Sequence, residues 1–144
     1  MSDARTLQVE VVTPDGQVYH GEVAMVVLPG VDGELGILPR HQPLVTLLAI
    51  GETRIRTLVD EWDYVATGIG YAQVLFDKVL VVVDHGELAG GIDVARAEEA
   101  QRRARERTQE RGGDLGAQAE VDYFRAEQAL KRAENRLRVA RRIR

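Results

Sequence analysis

The sequence predicts an α+β chain: an N-terminal β-sandwich, or flattened barrel, over residues 1–86, then an antiparallel two-helix hairpin over residues 87–144. Three observations carry this. Residues 6 to 84 alternate apolar and polar side chains in short runs separated by turn residues, the period of half-buried strands. After Asp84 the period becomes that of helices. The charge changes with it. Residues 1–91 hold 13 acidic and 5 basic side chains, net −8, and residues 92–144 hold 10 acidic and 14 basic, net +4.

In chain order, "TLQVEVVT" alternates, and "PDG" at Pro14–Gly16 turns the chain. "VAMVVLP" reads as a buried strand, and "VDG" at Val31–Gly33 turns again. "GELGILPRHQPLV", Gly33 to Val45, is punctuated by two glycines and two prolines, which fix a loop and re-aim the chain. "LVTLLAIG" is apolar and "TRIRTLV" alternates. "YVATGIGYAQVLFDKVLVVVD" holds two or three strands, with Gly68 and Gly70 at a kink or bulge and Asp77 in a tight turn. "HGELAGG" then reads as a linker. Short strands at this spacing build a sandwich or flattened barrel.

Helical composition runs from residue 93 to about 111 and from 117 to about 142, with "GGDLG" at Gly112–Gly116 breaking the two apart. Tyr123, Ala126, Leu130, Ala133, Leu137 and Ala140 form a seam spaced three and four, and Ala97, Ala100 and Ala104 match it. The seam is poor in large side chains, with Phe124 at its margin. Burying a leucine yields about 1.5–3 kcal/mol and ordering each residue costs about 1–2 kcal/mol, so the hairpin reads as a mobile appendage.

Several functions are excluded. There is no cysteine, hence no disulfide and no thiolate metal site, and the one serine is Ser2. His20, His41 and His85 stand alone near turns, and Asp60, Glu61 and Asp63 read as a charged turn. No run of about eighteen apolar residues crosses a membrane, and the N-terminus lacks the build of a signal peptide, so a cytoplasmic protein is expected.

One position is at odds with its helix. Asp93 sits where an N-cap belongs, and a capping box would place Glu or Gln three residues on. Arg96 is there instead, at the positive end of the helix dipole. Arg96, Arg103 and Arg107 share one stripe, and Arg132 and Arg136 are neighbours on the second helix. Folded antiparallel, the helices would converge these guanidiniums near free N–H groups, a site for a polyanion. The spacing alone favours a solvated charged face with Glu99–Arg103 and Glu106–Arg102 or Glu106–Arg103 pairs.

"VTPDGQVY", "GELGILPRHQPLV", "GIDVARAEEA" and "FRAEQALKRAENRLRVA" occur in this order, and together they resemble the epsilon subunit of the bacterial F-type ATP synthase. The resemblance implies a ten-stranded sandwich that binds the gamma subunit and the c-ring, with Glu34, Gly36 and His41 on the rotor-facing loop. It implies a hairpin that, extended, reaches the catalytic head of alpha and beta subunits and blocks ATP hydrolysis. It implies no catalysis by the chain itself, no required cofactor, and a peripheral place at the cytoplasmic face of the membrane through the complex alone. ATP is implied as a regulatory ligand of the folded hairpin, at Glu87, Ile92, Asp93, Arg96, Ala97, Arg103, Arg132 and Arg136. A departure is Arg40, where that family commonly has glycine, and the Arg-rich end "RVARRIR" would favour the extended form. The alternative is a nucleic-acid-binding module using the Arg-rich hairpin, but Glu98, Glu99, Glu106 and Glu110 interrupt its basic face, so no nucleic-acid partner is expected.

Overall fold

The computed structural model describes residues 5–110 and 116–143. Nine strands come first: β1 (Leu7–Thr13), β2 (Gly16–Gly30), β3 (Gly33–Ile37), β4 (His41–Leu48), β5 (Gly51–Thr57), β6 (Trp62–Thr67), β7 (Gly70–Phe76), β8 (Lys78–Val83) and β9 (Gly86–Leu88). Helices α1 (Val94–Gln109) and α2 (Ala117–Ala140) follow, with 3-10 turns at Ala89–Gly91 and Arg141–Ile143. The expected break between the helices lies outside the described residues except for Gly116.

The alternation in the sequence is the alternation of burial. Along β1, Leu7, Val9 and Val11 point inward and Gln8 and Glu10 outward. Along β8, Val79, Val81 and Val83 point inward. β1 pairs antiparallel with the first half of β2 and parallel with β8. β8 pairs with β7, and β7 with β4. Beyond a register shift between Val23 and Met25, β2 pairs with β5 and, along its far end, with β3. A single β2–β4 pair, Gly30 with Leu48, closes the circuit into a flattened barrel. The fifteen-residue β2 therefore serves both layers. Nine strands stand, among the described residues, where the resemblance implies ten.

Fifteen buried side chains, among them Leu7, Leu28, Ile37, Leu48, Ile55 and Val81, fill the barrel. Every one comes from residues 7–83. Gly68 and Gly70 flank a bend at Ile69 between β6 and β7, the expected kink, and both serve close approach. A Cβ on Gly70 would overlap the Val82 carbonyl oxygen, and one on Gly68 the Asp84 carboxylate. Asp77 occupies the tight turn between β7 and β8, as expected. Arg40 explains its own oddity: its φ is 66°, a left-handed conformation that favours glycine. Its N–H donates to Asp77 Oδ1 at 3.1 Å.

Residues 85–91 do not form a free linker. Gly86–Leu88 pair with β6, and Ala89–Gly91 make the 3-10 turn that leads into α1. The hairpin closes along its small-residue seam: Ala97 and Ala104 of α1 and Ala126 and Ala133 of α2 are buried. The end of α2 then lies on the sheet. Val139 and Ala140 pack with Ala66, Ala89 and Ile92 in a second, separate cluster.

Candidate functional site

Where the hairpin lies against the sheet there is a cavity of about 570 Å³. The β6–β7 connection and β9 form one wall, the start of α1 a second, and α2 a third. Glu87, Asp93, Arg96, Arg132 and Arg136 all line it.

Each wall places its side chains for a local reason. Asp93 caps α1: its Oδ1 accepts the Arg96 backbone N–H at 3.1 Å. The carboxylate thus holds the backbone of Arg96 and leaves the guanidinium to the cavity. Among the described residues that guanidinium makes no ion pair, and neither does that of Arg132. Arg136 is engaged: its Nη2 donates to Glu87 Oε2 at 3.2 Å, and its Nε lies 2.9 Å from Oε1. That Nε is buried and poorly aligned for a hydrogen bond, so the second contact is electrostatic. The unsatisfied N–H groups of the first turn of α1 add positive potential. The site therefore offers two uncommitted cations and a third held by one carboxylate, a setting for a ligand with several negative charges.

The remaining expected residues stand elsewhere. Ile92 is 7 % exposed and belongs to the apolar cluster under α2. Ala97 is fully buried in the helix seam. Arg103 is exposed and does not line the cavity; seven residues beyond Arg96, it lies about 10 Å further along α1. The expected Glu99–Arg103 pair is absent among the described residues, and Arg102 takes both carboxylates, Glu99 at 3.9 Å and Glu106 at 3.2 Å.

Asn135 was not foreseen. It lines the cavity, is 3 % exposed, and donates from Nδ2 to the Gly51 carbonyl oxygen at 2.8 Å. Its Oδ1 accepts from Arg138 Nη2 at 2.8 Å. An amide three residues from Arg132 and four from Val139, on the buried side of an otherwise alanine- and leucine-faced helix, was the available signal. Arg142 was also missed as a contact of the folded form. It grips Glu52 through Nε at 2.9 Å and Nη2 at 2.8 Å, and its guanidinium lies 5.1 Å over the Tyr64 ring.

Of the other expected residues, Glu34 and Gly36 lie on β3 and His41 begins β4. Glu34 accepts from Arg54 Nη2 at 2.9 Å. A Cβ on Gly36 would come within 2.9 Å of the Met25 methyl. His41 Nδ1 sits 2.7 Å from the Gln42 carbonyl oxygen. The outer face of β4 and β7 carries Val45, Leu47, Tyr71 and Leu75, all exposed, with Leu47 directly opposite Tyr71.

Comparison with known proteins agrees with both halves. Residues 6–89 match the family model described as ATP synthase, Delta/Epsilon chain, beta-sandwich domain. Residues 91–141 match that described as ATP synthase, Delta/Epsilon chain, long alpha-helix domain. The ATP synthase epsilon chain of Halalkalibacterium halodurans is 47% identical over 94% of this chain and 97% of its own length. That of Desulforamulus reducens is 41% identical over 95% and 98%. In structure, a chain of the Euglena gracilis mitochondrial ATP synthase is similar with a TM-score of 0.76 and 20% identity, over 94% of this chain and 81% of that one. The two domains, in this order and over nearly the whole length of such relatives, establish that the chain belongs to the ATP synthase delta/epsilon chain family.

Proposed function

We propose that this chain is a non-catalytic central-stalk subunit of an ATP synthase, and that its hairpin is a regulatory arm. Docked on the sheet, the arm binds a nucleotide polyphosphate such as ATP as a regulator, not as a substrate. Extended, it reaches the catalytic head and restrains ATP hydrolysis. The sandwich attaches to gamma and the c-ring, and so to the cytoplasmic face of the membrane. The exposed strip of Val45, Leu47, Tyr71 and Leu75 is a surface of the kind such attachment uses. No helix among the described residues is long and apolar enough to cross a membrane.

One observation carries the nucleotide reading: Arg96, Arg132 and Arg136, from two helices, meet at the start of α1 in one cavity. Its volume, about 570 Å³, lies in the usual range for small-molecule sites. Calorimetric titration of the full chain with ATP tests it. A charge-assisted hydrogen bond is worth about 1.5–3 kcal/mol, so Arg96→Ala weakens binding about tenfold or more. Asp93→Ala also weakens it, by uncapping α1. No heat at about millimolar ATP refutes the site.

A further inference from the structure

The docked hairpin ends in a row of alternating charges. Arg142 holds Glu52 through two hydrogen bonds, at 2.9 and 2.8 Å. Arg54 approaches the same carboxylate: its Nε is 3.8 Å from Glu52 Oε1, the oxygen that also accepts from Arg142 Nη2. Arg54 Nη2 in turn is 2.9 Å from Glu34 Oε2. We propose that Glu34, Arg54, Glu52 and Arg142 form a charge ladder through which the β3 edge sets how firmly the hairpin is docked. The proposal rests on the reading that the hairpin docks and undocks.

The apolar hold on α2 is small. Its own contribution to the cluster with the sheet is Val139 and Ala140. Polar contacts supply the rest: Asn135 to Gly51, Arg136 to Glu87, and Arg142 to Glu52. Of these carboxylates Glu52 is the more enclosed, with a side chain 11 % exposed against 39 % for Glu87. An enclosed carboxylate requires a cation. Undocking takes Arg142 away and leaves Glu52 with Arg54 alone. The two arginines therefore compete for one acceptor, and Glu34 decides the competition by drawing Arg54 the other way. Arg142 has its pKa raised by the Glu52 hydrogen bonds and charge, with a smaller attraction from Glu34. A cationic surface that engages Glu34 would release Arg54 toward Glu52, weaken the grip on Arg142 and free the hairpin. Glu34 is 64 % exposed and open to such contact.

The signs of three substitutions separate this ladder from a set of unrelated surface pairs. Glu52→Gln loosens the hairpin because Arg142 loses its acceptor. Glu34→Gln also loosens it, since Arg54 turns to Glu52. Arg54→Gln tightens it, because Glu52 is left to Arg142. The chain has no cysteine, so a single introduced thiol reports opening. Ala140, on the face of α2 turned to the sheet, is 3 % exposed, so the thiol of Ala140→Cys reacts with a reagent only when α2 lifts. Val81 lies in the barrel core, so the thiol of Val81→Cys reacts only on unfolding of the sandwich and serves as the reference.

Each ladder substitution is combined in turn with the arm thiol, Ala140→Cys, and with the core thiol, Val81→Cys. The expected result is labelling of the arm thiol about tenfold faster with Glu52→Gln, about two- to fivefold faster with Glu34→Gln, and slower with Arg54→Gln. Labelling of the core thiol stays unchanged. At about 1 M salt, where the screening length falls to about 3 Å, the differences shrink. If the arm thiol labels faster than the core thiol but all three variants match the parent, the ladder is overturned and the mobile hairpin stands. If the arm thiol labels no faster than the core thiol, the hairpin does not open independently and both fail. A faster rate with Arg54→Gln overturns the competition on which the ladder depends.

Discussion

The same substitution made in the two apolar clusters should produce two different outcomes. Val139 and Val81 are both fully buried. Val81 belongs to the barrel core, and Val139 to the small cluster between α2 and the sheet. Valine to alanine removes two carbons, worth about 0.8 kcal/mol each, and the space left behind brings the cost to about 2 kcal/mol. In the barrel core that loss falls on the unfolding of a domain of some eighty residues. Val81→Ala therefore lowers its melting temperature by about 8–16 °C. With Val139→Ala the same loss falls on docking. At about 1.4 kcal/mol per factor of ten, the open fraction of the hairpin rises about thirtyfold. Thiol labelling of Ala89→Cys, which α2 covers, measures the opening, and calorimetry measures the melt. If Val139→Ala lowers the melting temperature of the sandwich as far as Val81→Ala does, the two clusters belong to one cooperative unit. The separation of barrel from arm is then wrong.

Residues 1–88 alone melt cooperatively by calorimetry, because all fifteen buried side chains of the main core lie within residues 7–83. Arg40→Gly raises the melting temperature by a few degrees, since a left-handed non-glycine residue costs about 1–2 kcal/mol and glycine recovers most of it. Tyr19 donates to Asp63 Oδ2 at 2.9 Å, and burial, then that hydrogen bond and the carboxylate's charge, push its pKa up to about 12. A phenol with a raised folded-state pKa contributes stability that is complete below pH 10 and lost as pH rises toward 12. Tyr19→Phe should flatten the fall of melting temperature with pH across that interval.

What was legible in the sequence is what local periodicity encodes. The inward valines of β1 and β8 could be read because a half-buried strand must alternate. Asp93 could be read as a cap because the residue types that satisfy a first turn are few. The parallel pairing of β1 with β8 could not, since it joins segments some seventy residues apart and leaves no mark on either. Residues 85–91 have the glycine-bearing composition of a linker, yet Gly86, Glu87 and Leu88 take up strand pairing because β6 presents an open edge. On the helices, spacing revealed the stripe of arginines but not how far along it the sheet extends. Hence Arg96 reaches the cavity and Arg103 does not. The contacts of Asn135 with Gly51 and of Arg142 with Glu52 span 84 and 90 residues. A helix's own pattern says which face is buried, never what covers it. The Arg-rich end, expected to favour extension, here grips the sheet through Arg142.

If the hairpin regulates an ATP synthase and is not needed to build it, its removal must change the rate of the complex and not its composition. ATP hydrolysis by the reconstituted complex, carrying either the full chain or residues 1–88, measures this without an intermediary. Faster hydrolysis with residues 1–88, in a complex of unchanged subunit content, is the predicted result. Equal hydrolysis rates in fully assembled complexes would contradict it.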